Sequence, residues 1–220
     1  MKNFSAIAAA LLFATAGVAT AGTIPLAGDA SAHVLSTNSD AALSYVVPKN
    51  FSSDVLVNYT FSYSGVLESN DFLGFWFGTS TGPNFGLKAN CGNNCSNDIF
   101  ARMGGTDGTF LANTDLVAGT EYHLMAYLHK TNGSASYNSL NVWLNPSADE
   151  MASLKGADLN ISGASINSFS NVGFRTANID NGVTVTVSDV SISAVPEPGS
   201  LALLGAAIAG LGFIRRRKHA

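Results

Sequence analysis

The chain has 220 residues, of which 46% are hydrophobic and only 12% charged, with a formal net charge of −4 and two cysteines. Setting both ends aside, residues 22–199 hold six Lys/Arg against 15 Asp/Glu, a balance of −9, which repels phosphate backbones and argues against nucleic acid as a partner. The middle is long enough for one domain with a real core, and its richness in Gly, Ser, Thr and Asn favours strands and turns over helices.

In chain order, Lys2 supplies a positive n-region, Phe4 to Val18 an apolar stretch, and Ala19-Thr20-Ala21 a small-residue site. This predicts a signal peptide over residues 1–21, cleaved between Ala21 and Gly22, and an exported mature chain. Residues 22–194 form the body. There Val55, Val57, Tyr59, Phe61 and Tyr63 alternate with polar or small partners, the period of a half-buried strand. Phe72 to Thr79 is a denser run that suits a strand buried on both faces. Tyr122, Leu124, Ala126 and Leu128 mark one strand face, and Leu140, Val142 and Leu144 the next. Between them a Gly/Ser/Asn loop opens on Asn132-Gly133, which marks a hairpin. A single helical turn is expected around Ala148 to Lys155, after Pro146. The last strand carries Val183, Val185 and Val187, then switches face to Val190 and Ile192, as a bulge near Asp189 would cause. Strands at regular spacing with turn residues between them predict an all-β antiparallel sandwich.

The succession FLGFWFGT, NFGLKA (Asn84 to Ala89), Ala118-Gly119-Thr120 leading into Tyr122 to His129, and Val142-Trp143-Leu144-Asn145-Pro146 resembles concanavalin A-like or laminin-G-like jelly rolls over roughly Asn50 to Ser193. The resemblance implies a two-sheet jelly roll whose concave face or loop rim binds glycans, sometimes with calcium.

The last 26 residues fall into three blocks: Val195-Pro196-Glu197-Pro198, an uncharged apolar run from Leu201 to Ile214, and the basic cluster Arg215, Arg216, Arg217 and Lys218. The prolines keep the tetrad extended and available to an enzyme. The apolar run can satisfy its backbone in hydrocarbon only as a helix, and the basic cluster holds the distal end in the cytoplasm. Fourteen residues reach about 21 Å, short of a hydrocarbon core of roughly 30 Å, which suits a transient inner-membrane anchor. This order of blocks over residues 195–220 resembles the PEP-CTERM sorting signal of Gram-negative bacteria. The resemblance implies processing by an exosortase, a membrane transpeptidase-like enzyme, and delivery to the cell surface or extracellular matrix.

Chemistry-bearing groups are sparse. Cys91 and Cys95 in an Asn/Gly loop of an exported chain read as a local disulfide, since no second pair completes a zinc site. Asn93, Asn94, Asn97 and Asp98 offer oxygen ligands for calcium, but their spacing fits no EF-hand or repeat, so a polar turn is the ordinary explanation. Jelly-roll glucanases carry their acids as Glu-x-Asp-x-x-Glu along one strand, and no such run exists. Glu68 and Asp71 fall at a turn and Asp149 and Glu150 are adjacent, which makes all four solvated loop acids. No Gly-x-Ser-x-Gly elbow occurs. His123 and His129 share an outward face some 20 Å apart, too far for one metal. Trp76 lies in a continuous apolar run and is expected to be buried. Trp143 is out of phase with Leu140, Val142 and Leu144, which makes it the candidate glycan contact. The Thr184-x-Thr186 pair lacks the repeats an ice-binding array needs. These residues point to a non-catalytic polysaccharide-binding or structural module, the alternatives being a secreted glycan-degrading enzyme or an adhesive or ice-interacting surface protein.

Overall fold

The alternation at Val55 to Tyr63 does what its period dictates. In the computed structural model, which describes residues 23–89, 98–104, 108–131, 133–163 and 165–196, those five side chains all point into the core. In chain order the strands are β1 (Ile24–Asp29), β2 (His33–Val34), β3 (Leu43–Phe51), β4 (Val55–Ser64), β5 (Phe72–Phe77), β6 (Asn84–Lys88), β7 (Ile99–Arg102), β8 (Thr109–Phe110), β9 (Tyr122–His129) and β10 (Ser139–Leu144). A short helix α1 (Ala148–Ser153) follows, then β11 (Leu159–Ser162), β12 (Phe169–Ala177) and β13 (Thr184–Ala194).

They make two antiparallel sheets. One has seven strands, ordered β1-β13-β4-β9-β10-β11 with β2 also on β13. The other has six, ordered β3-β12-β5-β6-β7-β8. The architecture is the all-β antiparallel sandwich expected. Inward residues of both sheets interlock through aromatic rings. Tyr59 of β4 stacks on Phe75 of β5 at 6.0 Å and meets Phe174 of β12 edge-on at 4.9 Å. The Tyr59 hydroxyl lies in this apolar layer with no hydrogen-bond partner among the described residues, and desolvation drives its pKa far up.

Three expected irregularities are present. The loop between β9 and β10 closes a hairpin in which Ser139 pairs with His129. The register of β13 against β4 shifts between Ser188 and Ser191, with Asp189 at φ 53°, so the inward face passes from Val187 to Val190. Helix α1 starts with a capping box in which the Ser147 hydroxyl accepts the Glu150 N–H and the Glu150 carboxylate accepts the Ser147 N–H.

Chain ends are placed by pairing. Ile24 pairs with Ala194, and Ala194 with Val55, so both ends of the body emerge at one end of the sandwich. Thr184 pairs with Ser64 at the opposite end.

Candidate functional site

The outward face of the six-stranded sheet carries the opposite phase of each strand. On β5 this is Phe72, Gly74 and Trp76; on β6, Asn84, Gly86 and Lys88; on β7, Phe100 and Arg102; on β12, Gly173, Arg175 and Ala177. Phe72 and Phe100 are buried with their rings 5.1 Å apart, and they floor a cleft of about 190 Å³. Half-buried Lys88, Arg102 and Arg175 line it. Asn70 and Asn178 form its rim in the loops before β5 and after β12, tied by the Asn178 side-chain amide donating to the Asn70 carbonyl at 3.1 Å.

Three of the body's six cations therefore converge on one cleft of an otherwise acidic domain. Each rests on a ring: Arg102 and Arg175 lie 5.9 and 5.7 Å from the Phe72 centroid, and Lys88 lies 5.9 Å from that of Phe110. Arg102 is aimed by a relay in which its Nε donates to Asn84 Oδ1 at 3.0 Å and the Asn84 amide donates to the Gly82 carbonyl at 2.7 Å. Arg175 pairs at 2.8 Å with Asp40, whose side chain is 72% exposed. Burial first, and the like charge of Arg175 second, push the Arg102 pKa below its ordinary value. An anion entering the cleft relieves that repulsion. Phe72 lies flat because β5 has no side chain beside it: a Cβ on Gly74 would sit 2.5 Å from the ring.

Sequence reasoning passed over all three cations. Their signal was there as scarcity, with single cations at the outward phase of three strands in a body that has only six. Their convergence depends on the order of strands, which no local pattern encodes.

The residues that the sequence did single out fall elsewhere. Trp143 is a correction: it does point away from the main core, but it is fully buried in a second apolar cluster with Leu56, Met125 and Val195, packed by Leu154 and Ala157. Its indole N–H donates to the Lys155 carbonyl at 3.0 Å. The segment around α1 folds over that face and covers it, so Trp143 presents no surface to a glycan. Trp76 is buried as expected, on the face of the cleft. His123 and His129 are both partly exposed on the outward face of β9. Asp71 departs from the solvated acid expected. It is 1% exposed, its carboxylate accepts the Glu68 N–H at 2.9 Å, and burial raises its pKa, helped by nearby Asp180 and Glu68. Asp149 and Glu150 lie in the first turn of α1. Asp98 is buried, and one of its carboxylate oxygens accepts the Leu116 N–H at 3.3 Å. Among the described residues no three His, Cys, Asp or Glu side chains gather closely enough for a metal.

Ala21 and Gly22, Cys91 and Cys95, Asn93, Asn94 and Asn97, and the tail from Glu197 through Lys218 lie outside the described residues. Among the described residues no helix is long and apolar enough to cross a membrane. Of the sorting tetrad, Val195 is buried and donates its N–H to the Asp54 carbonyl at 2.9 Å, and Pro196 is half-buried.

Comparison with solved structures finds similar folds. They include the carbohydrate recognition domain of Emp47p (11% identity, TM-score 0.48, covering 80% of this chain and 88% of that one). A mutant of alginate lyase Aly36B in complex with alginate trisaccharide is similar at 10% identity and TM-score 0.48, over 75% of this chain and 81% of that one. A Lotus tetragonolobus seed lectin is similar at 10% identity and TM-score 0.46, over 79% and 94%. No curated protein matches the sequence. Residues 194–218 match the model of the PEP-CTERM protein-sorting motif, which implies an exported chain sorted through an exosortase. The chain is thus an all-β antiparallel sandwich carrying a PEP-CTERM protein-sorting motif at its C-terminal end.

Proposed function

We propose that the mature protein is a surface or matrix component of a Gram-negative cell whose sandwich holds acidic extracellular polysaccharide, bearing carboxylate or sulfate groups, without cleaving it. The signal peptide over residues 1–21 exports it, and the tail anchors it in the inner membrane until an exosortase removes that tail. The observation that carries the ligand class is the meeting of Lys88, Arg102 and Arg175 over Phe72 and Phe100 on a body of net negative charge. Guanidinium forks match carboxylates and sulfates, and the aromatic floor limits their hydration. At about 190 Å³ the cleft is smaller than the roughly 300 Å³ at which most small-molecule sites begin, so it grips one charged unit of a polymer rather than engulfing an oligosaccharide. No carboxylate, histidine or tyrosine is among its described lining residues, so the carboxyl pair of a glycoside hydrolase has no counterpart there, and Lys88 is the one described lining group of an acid–base kind.

The test is binding of the mature protein to a panel of uronate-containing, sulfated and neutral polysaccharides. Binding to acidic polymers is expected to fall steeply with salt and by about tenfold in Arg102→Ala, the scale of a hydrogen bond to a charged group. Preference for neutral polymers, or acidic binding indifferent to both salt and Arg102→Ala, would remove the reading. Release of unsaturated or reducing ends from any polymer would make it an enzyme instead.

A further inference from the structure

The first residue of the sorting tetrad is part of the body. Ala194 ends β13, and Val195 is only 5% exposed, its side chain in the cluster with Leu56, Met125 and Trp143 and its N–H on the Asp54 carbonyl. Two of the residues matched to the sorting motif, 194 and 195, are therefore held by the sandwich. Only five residues, 196–200, separate that hold from Leu201, where the apolar run begins. Fully extended they span about 17 Å, of which the interfacial headgroup layer takes roughly 6 Å. An enzyme that engages a segment in extended form draws on its main-chain N–H groups and alternate side chains, and both are occupied at Val195.

The segment that packs on this cluster, around α1, has little buried surface of its own. None of the residues of α1 is buried. The segment is anchored at its start by buried Pro146, by the Asn145 N–H on the His123 carbonyl at 2.7 Å and by the His123 N–H on Asn145 Oδ1 at 2.9 Å, and beyond that by the Trp143 indole to the Lys155 carbonyl, Leu154 and Ala157 against the cluster, and the Leu144 N–H to Asp158 at 2.8 Å. Leu154 stands in the left-handed region at φ 54°, which a leucine rarely adopts. Segments with few buried contacts open at low cost while the sheets beneath stay intact.

We propose that the sandwich clamps its own sorting signal: the processing enzyme engages the tetrad only when the strap over residues 145–158 lifts and Val195 leaves the apolar cluster it shares with Leu56, Met125 and Trp143, against which Tyr127, Leu154 and Ala157 pack. The clamp fixes the exit point of the tail and makes the fraction of open strap a factor in the processing rate.

The experiment follows tail loss from the full-length chain by pulse–chase and intact mass in a host that carries its exosortase. Leu154→Ser and Val195→Ser each weaken the apolar hold and are expected to speed tail loss by on the order of tenfold. Trp143→Phe keeps an aromatic ring but loses the indole donor and part of the buried packing, so it moves the rate the same way. Unchanged or slower tail loss in Leu154→Ser, with the core shown folded by near-ultraviolet circular dichroism, overturns the clamp. So does a Gly/Ser spacer between Val195 and Pro196 that speeds processing while Leu154→Ser does not, since that assigns the limit to crowding by the body. Hydrogen exchange on the unprocessed wild-type chain is independent of any variant: the Val195 amide is expected to be protected, and exchange at the rate of an open chain also overturns it.

Discussion

At the scale of single residues, charge and shape decide what the outward face of the six-stranded sheet can hold. Asp40 is the only acid paired with a cleft cation among the described residues, and it sits on the solvent side of Arg175. An exposed ion pair of this kind contributes about 0–1 kcal/mol, so Asp40 competes weakly with a ligand anion for the guanidinium. Asp40→Asn is therefore expected to tighten binding of an acidic polysaccharide by up to about fivefold, read by titration calorimetry at low salt. Weaker binding would mean that Asp40 orients Arg175 rather than occupying it. Trp143 shows how a residue can be read correctly and still mislead. Its phase along β10 puts it on the outward side of the sheet, as the sequence says, but a segment beginning only a few residues later returns across that side and buries it.

At the scale of elements, the cleft depends on the floor provided by β5. The Phe72 ring can lie over Gly74 only because that position has no side chain, and both arginines rest near that ring. Gly74→Ala is expected to destabilise the protein by about 1–3 kcal/mol as an overpacked site, seen as a lower denaturation midpoint, and to weaken acidic-glycan binding along with it. A variant that is destabilised yet binds as well as the wild type would show that the ring's position is immaterial to the site. Elements differ in how plainly the sequence announces them. β4 and β9 alternate cleanly because one face is core and the other solvent or strap. β12 does not, since its pairing with β3 slips between Phe169 and Asn171 and breaks the period. β3 contains Pro48, which suits its place at the edge of the sheet but hides it from a pattern search.

At the scale of the whole molecule, both ends of the body leave from one end of the sandwich, through the paired Ile24 and Ala194, while the rim residues Asn70 and Asn178 lie in the loops at the other. A body tethered by its tail thus turns the cleft's rim away from the tether. Stability should also respond to pH as a whole-molecule property. His123 and His129 have pKa values lowered below 6.5 chiefly by burial, opposed by Asp189 for the first and by Asp54 and Asn141 for the second. The folded state thus favours the neutral rings. Their contribution is fully present above pH 6.5 and is lost as pH falls through that value toward the lower folded pKa values. The melting temperature is expected to drop between pH 7.5 and 5.5, and the double variant His123→Gln/His129→Gln should flatten that slope. A slope unaltered in the double variant would place the titration elsewhere.

By itself the sequence determined what is local: the sorting tail, from the order of its three blocks; the sandwich class, from strand periodicity and turn residues; and the bulge at Asp189, from a change of phase. What only the tertiary structure decided is adjacency. Lys88, Arg102 and Arg175 lie far apart in the chain and meet because β6, β7, β5 and β12 stand side by side, an order set by how the two sheets close their shared core. The same applies to Val195, which is buried in one cluster with Leu56, Met125 and Trp143, all distant from it in the chain. Periodicity says which way a side chain points, and only packing between distant segments says what it then meets.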